Sequence, residues 1–223
     1  MINLLPRWVE LGAFLLALIA GAVNAVALLG FEHQSVSHVS GSATLMGLAI
    51  ATADLPGQLK LVGVLVTFFL GAAIAGLLIE NTALKLGRHY ETVLVLEAIF
   101  LIVACGLLVK GVVWGHLFAS AACGLQNAMA TAYSGAVIRT THLTGIFTDL
   151  GFMLGAWLRG DKPDRRKVLL FLFVIVGFII GAVLGGLTYS HIGYFALLMP
   201  ACVCLFLAVC YRGYLVYLRH GKR

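Results

Sequence analysis

Charge is what this sequence has least of. Only 11% of its 223 residues are Asp, Glu, Lys or Arg, against about 25% in soluble domains. Apolar residues make up 61%, and the mean hydropathy is +1.04. These values exclude an ordinary soluble globule and a disordered chain. They also exclude a nucleic-acid binder, because most of the 15 Lys and Arg lie in short segments between apolar runs, where they act as topology signals. The five cysteines, Cys105, Cys123, Cys202, Cys204 and Cys210, all lie inside apolar runs and form no CxxC pair. Neither a disulfide framework nor a zinc site is indicated, and they read as small hydrophobes. HExxH and GxSxG are both missing, so the chain is not expected to be an enzyme. No small-residue cleavage site closes the apolar stretch after Arg7, which therefore reads as a first membrane span.

What is present is a set of long apolar runs. A helical span needs roughly 20 apolar residues, and six runs meet that length: 9–30, 59–79, 92–112, 114–135, 168–189 and 193–211. Two further stretches, 35–53 and 140–158, open with Ser, Thr, His and Gly and become apolar only afterwards. These two stretches resemble each other. SHVSGSATLMG (Ser37 to Gly47) aligns with THLTGIFTDLG (Thr141 to Gly151), so that hydroxyl, His, apolar, hydroxyl and Gly recur in register. Upstream, GAVNA (Gly21 to Ala25) matches GLQNA (Gly124 to Ala128); downstream, LGAAIAGLL (Leu70 to Leu78) matches IGAVLGGLT (Ile180 to Thr188). Three matches in one order point to a duplicated half.

The expected fold is thus an all-α polytopic membrane protein forming one membrane domain over 1–223, with a first repeat at 1–112 and a second at 113–223. After Gly41 the helix has about 12 residues, roughly 18 Å at 1.5 Å per residue, against a hydrocarbon core of about 30 Å. The two short segments are therefore expected to turn back, giving six full spans plus two re-entrant helices; eight crossings is the alternative. Three full spans per half invert the second repeat relative to the first, as in many transporters. The same topology places both termini and the loop Arg159 to Lys167 in the cytoplasm, with Arg7, Lys85, Arg88 and Arg139, and leaves only Lys60 and Lys110 of the 15 Lys and Arg on the far side.

The motifs GAVNA with HVSGSATLMG, and GLQNA with TTHLTGIFTDLG, resemble those of the YoaK family of bacterial membrane proteins, a family of unknown function. The resemblance covers essentially the whole chain. Members typically carry Gly-x-x-Asp-Ala and Thr/Ser-Gly-Asn in the first half; here Asn24 stands where Asp is usual and Ser42 where Asn is usual. The resemblance implies a bacterial inner-membrane location and no established substrate.

A helix that starts in mid-membrane leaves backbone N–H groups and the positive end of its dipole to be satisfied. The expected binding residues are therefore Asn24, His38, Ser40, Gly41 and Ser42 in the first half, and Asn127, His142, Thr144 and Gly145 in the second. Gly admits a ligand to the backbone, hydroxyls cap it, and two facing helix starts form a polar or anion site at the repeat interface. The competing reading is that the hydroxyls cap their own helices and that Asn24, Gln126 and Asn127 join neighbouring helices. Asp149 and Glu97 are the carboxylates expected at depth, either to couple protons or to be held in buried hydrogen bonds. His38 and His142 lack enough companion ligands for a metal, and no cofactor is expected. Small-residue rows Gly71-x-x-x-Ala75 and Gly177-x-x-x-Gly181-x-x-x-Gly185 indicate close helix packing. The function expected is a small-solute transporter or channel. The expected partners are the lipid bilayer, an unidentified solute and a second copy of the chain, with no nucleic acid; a non-transporting scaffold subunit is the alternative. A Leu86→Cys variant should be labelled by membrane-impermeant thiol reagents only from the cytoplasm; labelling from the periplasm would establish eight crossings.

Overall fold

The computed structural model describes residues 8–30, 34–79, 89–134 and 139–220. Arg7, Lys85, Arg88 and the last basic residues of the tail fall outside them. Among the described residues the chain is helical throughout, with no strand: α1 (Trp8–Gly30), α2 (Val39–Ala51), α3 (Leu55–Leu78), α4 (Tyr90–Val109), α5 (Gly115–Ser134), α6 (Leu143–Leu158), α7 (Arg165–Ile192) and α8 (Leu198–His220), with a 3-10 turn at Gly193–Leu197 between the last two.

The helix boundaries follow local chemistry. Asp54 accepts from Gly57 N at 3.1 Å and Pro56 stands in the first turn, which together start α3. Asp164 does the same for α7, accepting from Arg166 N and Lys167 N. Gly111, at φ +76°, ends α4 and lets the chain reverse into α5.

Four stretches are long and apolar enough to cross a membrane: Glu10–Gly30, Leu55–Leu78, Tyr90–Val109 and Arg165–Tyr217, the last holding both α7 and α8. The helix α5 has the length but not the hydropathy, because it carries Ser120, Gln126, Asn127 and Thr131. It is also a heavily buried helix, so protein rather than lipid surrounds those groups. Large apolar side chains elsewhere face outward, such as Leu77, Phe152, Leu158 and Val209. In a membrane, lipid covers such surfaces. The chain is an α-helical membrane protein.

Two helix pairs form the frame. Gly177, Gly181 and Gly185 of α7 lie against Phe14, Leu18 and Ala22 of α1 in the same order, so these helices run parallel. Gly63 and Gly71 of α3 lie against Leu117 and Ala121 of α5, also in the same order. At both crossings backbone meets backbone. A Cβ on Gly21 would overlap the Phe178 carbonyl, and a Cβ on Gly124 would overlap the Phe68 carbonyl. Gly181 and Gly71 are blocked in return by the carbonyls of Leu18 and Ala121. The helix α4 runs antiparallel to α8: Tyr90 meets Tyr211 with ring centroids 5.9 Å apart, Glu91 pairs with Arg212, and Glu97 meets Cys204.

The segments that lead into the two short helices turn back along the bundle. After α1 the chain doubles back, and Ser35 reaches Asn24, six residues before the end of α1 and so about 9 Å back along its axis. After α5, Thr141 reaches Asn127, seven residues before the end of that helix. Replacing Gly124 or Gly181 by Ala should destabilise the protein by about 1–3 kcal/mol through overpacking. Ala at Gly76 or Gly106, where nothing lies within 4 Å, should be neutral or slightly stabilising. Unfolding midpoints in detergent test the contrast.

Candidate functional site

Each returning segment is tied by an amide on the helix before it. In the first half Asn24 Oδ1 accepts from Ser35 Oγ at 2.8 Å. Ser35 Oγ in turn accepts from the backbone N–H groups of Ser37 and His38, so it caps the entry to α2. Ser120 of α5 braces the segment from the other half: its hydroxyl lies 3.1 Å from Val36 O and 2.9 Å from Val64 O, and its single proton serves one carbonyl at a time.

In the second half Asn127 Oδ1 accepts from Thr141 Oγ1 at 3.0 Å and from Thr141 N at 3.4 Å, while its Nδ2 donates to Cys123 O. A second tie runs beside it. Thr140 Oγ1 donates to Gln126 Oε1 at 2.8 Å, and Gln126 Nε2 donates to Glu97 Oε1 at 2.9 Å. This three-residue chain is buried throughout. It joins α4 and α5 to the stretch that opens α6.

The expected site residues are therefore distributed as follows. Asn24, Ser42 and Asn127 are buried. His38 and His142 stand at the N-caps of α2 and α6 without making a side-chain cap. The His38 ring tilts over Phe178 of α7, with centroids 6.4 Å apart, and the His142 ring lies over Gly145 where a Cβ would otherwise go. Gly41 is open. Ser40 and Thr144 are exposed on the chain, and their carbonyls accept from Thr44 and Thr148 one turn on. Asp149 is half-exposed and pairs with Lys167 Nζ at 3.1 Å. Glu97 is 2% exposed and hydrogen-bonded to the neighbouring helix.

Two cavities flank this core. One, of about 390 Å³, lies among the starts of α1 and α4 and the ends of α5 and α8; it is lined by Leu11, Leu94, Met129 and four tyrosines, and reaches the second motif at Thr140. The other, of about 150 Å³, lies at the opposite end beside Gln34, Lys60, His116 and Tyr194. Neither is lined by residues of both motifs.

Residues 12–210 match a family described as "Protein of unknown function (DUF1275)". The chain belongs to the DUF1275 family. This member is 27% identical, over 194 residues, to the UPF0700 transmembrane protein YoaK of Bacillus subtilis (strain 168), an alignment covering 83% of this chain and 86% of the relative. No solved structure matches it. The expected resemblance to the YoaK family thus holds across nearly the whole DUF1275 chain.

Sequence reasoning found Asn24 and Asn127, and the motif that opens at Thr141 holds the partner of Asn127, but it missed Ser35, the partner of Asn24, and Thr140, the partner of Gln126. Ser120 looks like one more small residue in an apolar run. Gln126 joins α4 to the stretch before α6. Gln126→Leu should destabilise the protein by about 1–3 kcal/mol, because it strands both the Glu97 carboxyl and the Thr140 hydroxyl. Glu97→Gln, which keeps an acceptor for Gln126, should cost less. Equal losses in an unfolding titration would show that the chain of bonds is not what matters.

Proposed function

We propose that this DUF1275 protein is a small-solute transporter or channel of the bacterial inner membrane, built from two inverted repeats, with a polar site formed by the starts of its two short helices. The observation that carries the reading is that the chain entering α2 and α6 is tied in each half to an Asn one to two turns back along the preceding helix. Helices interrupted at depth are the usual place for a transported solute to meet backbone donors.

The reciprocal crossings support the repeat. Gly21 meets Phe178 and Ala182; their sequence counterparts Gly124, Phe68 and Ala72 meet in the same way. The antiparallel run of α4 and α8, counterparts in the two halves, supports the inversion, as does the return of α2 toward the end of the bundle where α1 finishes. This topology has six spans, with α2 and α6 re-entrant and both termini cytoplasmic. Three carboxylates toward the cytoplasmic end of the helices, Glu10, Glu91 and Asp149, pair with Arg166, Arg212 and Lys167. Asp149 and Glu97 are the groups proposed to couple flux to protons.

A second reading is a non-transporting partner subunit. What favours it is that neither cavity is lined by both motifs. Uptake into proteoliposomes across a panel of small solutes, with and without a pH gradient, separates the two. Under the transport reading Ser40→Ala and Thr144→Val reduce flux several-fold while the protein still inserts. If Asp149 couples protons, Asp149→Asn abolishes the gradient dependence and leaves solute counterflow intact; unchanged gradient-driven uptake removes Asp149 from the mechanism.

A further inference from the structure

The two short helices start alike, but their polar groups are not equally used. In the second half the matching side-chain groups are in use. Asn127 Nδ2 donates to Cys123 O, the Thr141 hydroxyl donates to Asn127 Oδ1, and the His142 ring lies over Gly145. The counterparts in the first half differ at all three points. Asn24 Nδ2 has no hydrogen-bond partner in the protein. Ser37 Oγ, at the position matching Thr141, has none either. Gly41, matching Gly145, meets nothing closer than His38 Cβ at 3.9 Å.

Both orphaned groups are deeply buried: Asn24 is 2% exposed and Ser37 4%. A buried donor left unpaired costs about 1–3 kcal/mol, so two of them beside one helix start call for an occupant. Both belong to the same small cluster. Asn24 Oδ1 and the N–H of Ser37 share Ser35 Oγ as partner, and Ser37 immediately precedes the N-cap of α2. Ser35 Oγ satisfies the N–H groups of Ser37 and His38. The N–H groups of Val39, Ser40 and Gly41 come before the first helical bond, Ser42 N to His38 O, and have no carbonyl within the helix to reach.

The chemistry of the cluster selects the sign of the occupant. The groups left over are mostly donors: an amide NH2, a hydroxyl that can donate or accept, and the N–H groups at the positive end of a helix dipole. The amide oxygen Asn24 Oδ1 already takes the Ser35 proton. Described carboxylates hold partners elsewhere: Glu10, Glu91, Asp149 and Asp161 in ion pairs, Asp54 and Asp164 at helix caps, and Glu97 with Gln126. No described carboxylate is left to hold a cation here, whereas the unpaired amide, the hydroxyl and the helix start favour an anion.

We propose that the start of α2 is a binding site for one small monoanion of the size of chloride or formate, and that the start of α6, where Asn127 and Thr141 are already paired, is the counterpart without free side-chain donors. The site rests on the reading above only in sharing residues with it; binding does not require flux. Purified full-length protein in nanodiscs is titrated with sodium chloride or sodium formate against sodium gluconate at constant ionic strength, with thermal unfolding as the readout. Chloride and formate should raise the midpoint saturably, and neutral formamide should not. Ser37→Ala should weaken the effect about tenfold, the loss of one hydrogen bond to a charged group. Asn24→Asp, which keeps an oxygen for Ser35 but removes the donor and adds negative charge, should abolish it. No saturable anion effect, an equal effect of formamide, or an effect that survives both substitutions overturns the site. Should Asn24→Asp fail to fold, the Ser37→Ala titration decides alone. Anion binding without uptake in proteoliposomes sinks the transport reading and leaves the site standing; uptake without anion binding does the reverse.

Discussion

The architecture depends on two places where helix backbones touch with no side chain between them. Gly21 and Gly181 let α1 and α7 meet carbonyl to Cα, and Gly124 and Gly71 do the same for α5 and α3. In lipid the hydrophobic effect does not hold helices together, so close packing has to. The amides that anchor the short helices stand three residues beyond these contacts, Asn24 after Gly21 and Asn127 after Gly124. Three residues is nearly one turn, so the anchor falls on the same side of its helix as the crossing. The Gly-x-x-Asn spacing is thus two demands met at once: a face bare enough for a neighbouring helix, and a polar group next to it that holds the returning chain.

Much of this was legible in the sequence because membrane helices write their lengths plainly. Five of the six long runs were placed within a few residues of the observed helices, whereas 193–211 takes in the 3-10 turn at Gly193–Leu197 and stops short of the end of α8 at His220; the two short ones were recognised from their polar starts. The glycine rows announced close packing, and the repeated motifs named Asn24 and Asn127 as a matched pair. The illegible parts depend on tertiary contact. Ser35 and Thr140 have no counterpart in each other's half, so no repeat could flag them. The exposure of Ser40 and Thr144, and the pairing of Asp149 with Lys167, are set by how α2 and α6 lie on the bundle, which periodicity does not encode. Glu97, expected at depth, is buried, but its contact with Cys204 of α8 is one that no spacing in the sequence encodes.

The two halves share a plan but not a chemistry. Where the second half uses Gln126 and Thr140, the corresponding positions of the first are Val23 and Val36, both buried. An apolar pair packs there in place of a hydrogen-bonded one. The first half receives its cross-brace instead from Ser120, a residue of the second. Such divergence fits a protein in which one copy of a site keeps its open donors and the other has turned them inward.

The attachment of α6 has a mechanical consequence. Its start is fastened through Thr140 and Thr141 to Gln126 and Asn127, but along its 16 residues only Ile146 is buried. Leu143 and Leu150 pack beside it, and Asp149 in the second turn pairs with Lys167. The helix is thus held through its first half, while its last turns present Phe152, Trp157 and Leu158 outward, so in a membrane this half of α6 is a lipid-facing surface rather than part of the core.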